Sequence, residues 1–286
     1  MPLRLFGAVH HLVLSGVAPS ALSGRWEDFA RALSEHDQVL RHRLGSTDVQ
    51  TNEVQRCTFL VPAFRAAAAE SGLRLELLEL GPSAGLNLLA DRYRCVYANG
   101  ISGPDDARLV LTTQEGSGRV PADLLRGELE VRRRRGIDLA PVDATTEEGY
   151  LQLRSFVWPG LAERVARLDA AVATLRAASD RPELIEGDFV RLLPEVLAER
   201  PADALTVVVD TFATVFLPRD LAGALAESLE AAGADGRPLA WVSVRRWDEE
   251  SGPPHEGFEL ELRVWPGPAR LAAYVDPHGN RLDWRL

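Results

Sequence analysis

Short apolar runs separated by stretches of helical periodicity organise the chain from residue 73 onward. The runs "LRLELLEL", "VRRRRGIDL", "RPELIEGDF", "ALTVVVDTF" and "RPLAWVSV" have strand length and apolar content, and helix-length segments lie between most of them. Strands that alternate with helices pair in parallel through crossover connections, so the pattern predicts an α/β fold with a mostly parallel sheet. The last stretch, "FELELRVWPGPARLAAYVDPHGNRLDW", breaks at Pro and Gly turns and predicts antiparallel strands joining the sheet's edge. Residues 1–70 differ, because "RWEDFARALSEHDQVLRHRL" and "FLVPAFRAAAAESG" repeat with helical period and the second ends at a Gly72 cap. The reading is a helical N-terminal layer or lid over 1–70 and an α/β domain over 71–286. Residues 92–130 are an insertion in that domain, and the Gly-, Asp-, Ser- and Thr-rich part near 98–127 is expected to loop out of the sheet order.

The first strand runs into Gly81-Pro82-Ser83-Ala84-Gly85 and then "LNLLADRY", read as an amphipathic helix. This matches G-x-S-x-G, the elbow that exposes a nucleophilic serine, and Asp210 with His255 or His278 would complete a triad in the right chain order. A hydrolase sheet, however, has several strands and a glycine-rich oxyanion loop upstream, where this chain reads helical. The other reading is a cofactor turn, because a glycine loop after the first strand of a doubly wound sheet lets backbone approach a ligand. A third is plain packing, with Ser83 as the small residue of a tight turn.

The residues around the turn carry a resemblance. "LELLELGPSAG" resembles the first motif of the Rossmann-like S-adenosylmethionine methyltransferases, with an acid at Glu79 and a glycine loop over Gly81, Ser83 and Gly85, Ser83 standing where that family has its middle glycine. Asn87 follows on the next segment as a further cofactor candidate, with Asp91 beside it; the alternative for these two is a packed polar pair. "RRRRGIDLAP" is similar to the second motif, and the resemblance implies Asp138 as the acid that accepts the ribose hydroxyls. "PELIEGDF" looks like the adenine-binding motif, implying Asp188 at the exocyclic amine and Phe189 beside the ring, although Gly-Asp ahead of a helix is also good N-cap chemistry. Asp143 has a comparable capping alternative. "LTVVVDTFATVFLP" ends the fourth strand at Asp210, where this architecture puts reacting groups, so Asp210, Thr211 and Thr214 are candidates for aligning the acceptor, with Asp210 or His255 as proton acceptor.

Over most of its length the chain also resembles the bacterial family called domain of unknown function 2332, through "ELGPSAGLNLLADRY", "GIDLAPVDAT", "FVWPGLAERVARLDAA", "GDF" and "VVVDTFATVFLP". That resemblance implies no reaction by itself. The expected fold is a Rossmann-like methyltransferase-type sheet, and the expected activity is methyl transfer from S-adenosylmethionine to an unknown small molecule. The alternatives are a serine hydrolase using Ser83, and a non-catalytic protein of the same fold that acts through a partner.

Composition narrows the classes. A formal charge of −10 argues against a general nucleic-acid binder, and the basic run Arg132 to Arg135 is local. All 32 basic residues are arginine, which removes a Walker lysine, a kinase strand lysine and any Schiff base. The two cysteines, Cys57 and Cys95, stand in no metal or disulfide spacing and read as buried hydrophobes of a reducing compartment. No metal motif is present in the sequence, and no metal is expected. His10 and His11 interrupt the N-terminal apolar run, so it reads as a core helix rather than a signal peptide, and a cytoplasmic location without membrane attachment is expected. Trp158, Trp241, Trp247 and Trp265 read as packing residues. Arg245 and Arg246 leave the fifth strand at its ligand-facing end, where one could hold an acidic substrate group. Oligomeric state is not legible.

Overall fold

The computed structural model describes residues 2–46, 49, 51–246 and 257–286. His255 and Trp247 lie outside the described residues. In chain order the helices and strands are α1 (Pro2–Leu14), α2 (Trp26–Glu35), α3 (Asp37–Ser46), α4 (Cys57–Ser71), β1 (Leu75–Leu80), β2 (Arg94–Tyr97), β3 (Gly100–Ser102), β4 (Val110–Thr112), β5 (Gln114–Glu115) and β6 (Val131–Asp138). They continue with α5 (Glu147–Ser155), α6 (Ala162–Ala177), β7 (Glu183–Glu186), α7 (Phe189–Ala198), β8 (Leu205–Asp210), α8 (Arg219–Gly233), β9 (Leu239–Arg246), β10 (Phe258–Val264), β11 (Arg270–Val275) and β12 (Arg281–Trp284).

Among the described residues one sheet runs β5-β12-β11-β10-β9-β8-β1-β6-β7. The parallel strands β1, β6, β7, β8 and β9, counted in chain order, lie third, second, first, fourth, fifth, which is the doubly wound nucleotide-binding order. Beyond β9 the strands β10, β11 and β12 turn back antiparallel one after another, as the Pro and Gly turns predict. The order reverses between β1 and β8, so the crevice beyond their carboxyl ends is the topological switch point.

Both faces of the central strands are covered, which is why β1 and β8 are buried at every position. Leu75 and Leu77 pack with Phe59, Leu60 and Phe64 of α4 and with Leu168 and Val172 of α6. Leu78 and Leu80 face the other way, onto Leu193 and Leu197 of α7 and Leu225 and Leu229 of α8. A period of two therefore turns Glu79 to the α4 side with Leu75 and Leu77. Helices α1 to α3 gather a separate small core of Val9, Leu12, Ala32 and Leu40.

Two local expectations are corrected. The stretch near 98–127, read as loop, carries strands: β3 and β4 join β2 in a three-stranded sheet outside the large one, and β5 pairs with β12 at the large sheet's edge. Their turns sit close to buried chain, because a Cβ at Gly103 would meet the Tyr93 carbonyl oxygen at 1.9 Å. Nor is the segment after the glycine turn an amphipathic helix. Leu86–Arg92 is a 3₁₀ stretch in which Leu86 to Ala90 are all buried, because it runs beneath α4 and α6 and has no solvent side.

Candidate functional site

The site is built where β1, β6 and β8 end. Gly81, Ser83 and Gly85 all have left-handed backbone, at φ 70, 56 and 71°, so the turn doubles back tightly over the sheet. For the glycines this is inexpensive, whereas Ser83 stands where an L side chain is strained. The fit is close on every side. A Cβ on Gly81 would meet the Ala213 methyl at 2.9 Å, and one on Gly136 would meet Pro82 Cγ at 2.5 Å.

Asp138, at the end of β6, fastens this turn. Its Oδ2 accepts the Ser83 amide at 2.7 Å and its Oδ1 accepts the Ala140 amide at 2.9 Å. Three further amides of the turn are taken: Gly85 donates to the Pro82 carbonyl, Leu86 to Asn52 Oδ1 and Leu88 to the Gly85 carbonyl. Most of the turn's amides are thus engaged within the protein, and beside them stand acidic side chains.

Glu79 is 1% exposed. Asn87 Nδ2 donates to its Oε1 at 3.3 Å and Thr211 Oγ1 lies at 3.5 Å from the same oxygen, while Oε2 is buried with no partner among the described residues. Burial pushes its carboxyl up to about 7, against the lowering effect of the Asn87 hydrogen bond and the nearby Arg56 charge. Ser83 Oγ is likewise buried without a partner among the described residues.

Asp210 is fully buried, and burial raises its carboxyl to about 6. It accepts the Thr214 amide at 3.1 Å and the Thr214 hydroxyl, which fixes the loop after β8 and holds Thr211 towards Glu79. Next to it, Phe212 has left-handed backbone at φ 79° and packs edge-on against Phe258 at 4.7 Å.

The structure thus brings Glu79, Gly81, Ser83, Gly85, Asn87, Asp138, Asp210 and Thr211 together. Asp188 and Phe189 start α7 beyond β7, where Asp188 Oδ1 caps the Val190 amide at 2.9 Å and Phe189 packs towards Ile185 and Leu193. Asp91 does not pair with Asn87; it binds Arg134 at 2.5 Å. Asp143 accepts the Thr145 amide, and Thr146 is the cap of α5. Arg245 is held by Glu261 at 2.7 Å. The elbow reading finds its strained backbone at Ser83 but no histidine hydrogen bond to the hydroxyl among the described residues.

Sequence reasoning passed over the segment ahead of α4. Asn52 caps Leu86, and Glu53, 2% exposed, is bound by Arg164 at 2.7 Å and lies 3.7 Å from Arg167. Arg56 lies over the Phe212 ring at 4.4 Å, donates to the Thr211 carbonyl at 3.1 Å and to the Pro277 carbonyl at 3.0 Å. Burial lowers its guanidinium to about 10, leaving it charged at neutral pH. Polar residues at the foot of an apolar helix were the signal available in the sequence.

Among the described residues no helix is long and apolar enough to cross a membrane, and no cluster of metal-ligating side chains occurs. The chain is similar to the apo structure of CalS11, a TDP-rhamnose 3'-O-methyltransferase of calicheamicin biosynthesis, at 16% identity and a TM-score of 0.29, covering 74% of this chain and 69% of that one. A second structure, of CalS11 as a calicheamicin methyltransferase, is similar at 17% identity and a TM-score of 0.30, covering 74% of this chain and 70% of that one. No curated protein matches. The family profile described as "Uncharacterized protein conserved in bacteria (DUF2332)" matches residues 1–284, and the chain belongs to that family.

Proposed function

We propose that the protein transfers a methyl group from S-adenosylmethionine to a small molecule, with Glu79 as the proton acceptor. The observation that carries this reading is a pair of acids beside the switch point, Glu79 near the end of β1 and Asp138 at the end of the adjacent parallel strand β6, flanking a left-handed glycine turn. The residues fit such a cofactor through Ser83 Oγ, buried with no partner among the described residues, and the equally unpartnered Glu79 Oε2 is left for the acceptor. A buried carboxylate oxygen and a hydroxyl left unpaired cost free energy that a ligand rich in hydroxyl and ammonium donors would recover.

In this reading Asp138 and Ser83 hold the ribose side and Asn87 borders the amino-acid side, leaving Glu79 Oε2 for the acceptor's proton, while Asp188 and Phe189 border the base. Asp138 keeps lone pairs for this task, since each oxygen accepts one amide. When bound, the cofactor supplies an electrophilic methyl group on sulfur. The protein's own contribution is alignment, exclusion of water and removal of a proton. Asp210 fixes the loop that carries Thr211, and Thr211 with Asn87 orients the Glu79 carboxyl. A carboxyl at about 7 is half ionised at neutral pH and so is able to take a proton from a hydroxyl or ammonium acceptor.

The test is calorimetric titration with S-adenosylmethionine and S-adenosylhomocysteine, repeated on Asp138→Ala. Saturable binding at micromolar concentration that the substitution abolishes supports the reading; no heat up to millimolar ligand sinks it. The left-handed backbone of Ser83 favours one alternative, a serine hydrolase, and a fluorophosphonate probe that labels the protein but not Ser83→Ala would establish that instead.

A further inference from the structure

We infer that the acceptor is a small oxyanion, carrying a carboxylate or phosphate that Arg56 holds at the mouth of the crevice; the inference rests on the methyl-transfer reading above.

The argument starts from how the buried arginines are paired. Arg134 has Asp91 and Asp180, Arg135 has Glu199, and Arg200 has Asp235. Arg65 has no carboxylate, but its Nε, Nη1 and Nη2 are consumed by Ser102 Oγ and by the Arg126 and Gly127 carbonyls. Arg56, half-buried, differs from all of these. Its Nε and Nη1 each make one bond to a carbonyl, and among the described residues it has no ion pair and Nη2 has no hydrogen bond. The Nη1–Nη2 edge is therefore left for a ligand, and that edge is the geometry that matches two oxygens of a carboxylate or phosphate.

The guanidinium is held rigidly for such a contact. Phe212 covers one face of the plane, and two carbonyls from different loops, Thr211 after β8 and Pro277 after β11, fix its rotation. Pre-set orientation lowers the cost of ordering on binding. The Thr211 link also ties the cation to the residue that touches Glu79.

The surrounding charge points the same way. Arg164 and Arg167 approach from α6, but Glu53 between them already answers to both, so three arginines share one neighbouring carboxylate. Glu79 and Asp210 are the other nearby acids, and among the described residues neither forms an ion pair or hydrogen bond with Arg56. A partly desolvated cation with no direct ion pair among the described residues is costly, and a bound oxyanion lowers that cost.

Thermal unfolding in benzoate, phenyl phosphate and the neutral benzamide, at matched ionic strength, tests this without any methyl donor. Wild-type protein is expected to gain a saturable rise in Tm with benzoate or phenyl phosphate and none with benzamide. Arg56→Gln is expected to lose that rise. Arg56→Lys, which keeps the charge but not the fork or the stacked plane, is expected to weaken the apparent affinity about tenfold or more. An equal response to benzamide, no response to either anion, or an anion response unchanged in Arg56→Gln overturns the inference. If Arg56→Gln does not fold, Arg56→Lys decides, and an unchanged response there overturns it. S-adenosylhomocysteine titrated in parallel separates the two readings: anion binding without it removes the methyltransferase, and its binding without an anion response removes the oxyanion acceptor.

Discussion

The Ser83 amide donates to Asp138 Oδ2 at 2.7 Å across the gap between the glycine turn and the end of β6. One carboxylate thus closes the left-handed turn and stands at the position assigned to ribose contact. Asp138→Ala is expected to remove the acceptor of the buried Ser83 amide and to cost about 1–3 kcal/mol in urea denaturation. Asp138→Asn retains one acceptor and is expected to recover roughly half of that stability. If the cofactor site is as proposed, both substitutions lower affinity for S-adenosylhomocysteine, so calorimetry on the folded Asp138→Asn separates binding from stability.

Ser83 holds φ 56° without a hydrogen bond to its hydroxyl. Ser83→Gly relieves the left-handed strain and is expected to stabilise the fold by about 1 kcal/mol, whereas a β-branched Ser83→Val is expected to destabilise it by more than that. Denaturation midpoints of the two variants check this. The methyltransferase reading also expects no fluorophosphonate labelling at this serine.

The two raised acids set a pH dependence of defined sign. Glu79, near 7 when folded against 4.5 when free, and Asp210, near 6 against 3.8, both bind protons more tightly in the native state. Their contribution is fully present below about pH 4 and is lost as pH rises through about 7. Glu79→Gln keeps an acceptor for Asn87 and removes the ionisation, so it is expected to gain stability relative to wild type between pH 5 and 8, by up to ~3 kcal/mol. Parallel urea melts at those two pH values give the difference; a flat difference shows that Glu79 does not titrate there. In turnover, the wild-type rate is expected to rise with pH through about 7, and Glu79→Gln to lose that limb.

Arg134 sits 4% exposed on β6 with Asp91 and Asp180, each at 2.5 Å. Arg134→Ala is expected to strand Asp91, at the end of the 3₁₀ segment, and to cost about 3–5 kcal/mol in denaturation experiments, while the neighbouring exposed Arg133→Ala costs less than about 1 kcal/mol.

Those two neighbours show where the sequence is readable. Runs such as "LELLEL" and "LTVVVD", apolar at nearly every position and separated by helices, required strands covered on both faces, and the parallel order followed from that hydrophobic demand. The acids at the strand ends were legible for the same reason, since a charge that closes a buried run stands out. The basic run of β6 was not. Whether its arginines are solvated or buried depends on Asp91, Asp180 and Glu199, which come from other parts of the chain. The stretch after the glycine turn has helical spacing, yet packing beneath α4 and α6 buried all of Leu86 to Ala90 and drew Asn87 inward to Glu79. Arg56 is the clearest case. Nothing local distinguishes it from the other arginines, and only the meeting of the loops after β8 and β11 gives it two carbonyls, a ring and no carboxylate among the described residues. Local pattern decides which segments must be buried. Which polar group faces which is a matter of long-range pairing, and that is fixed only when the chain closes on itself.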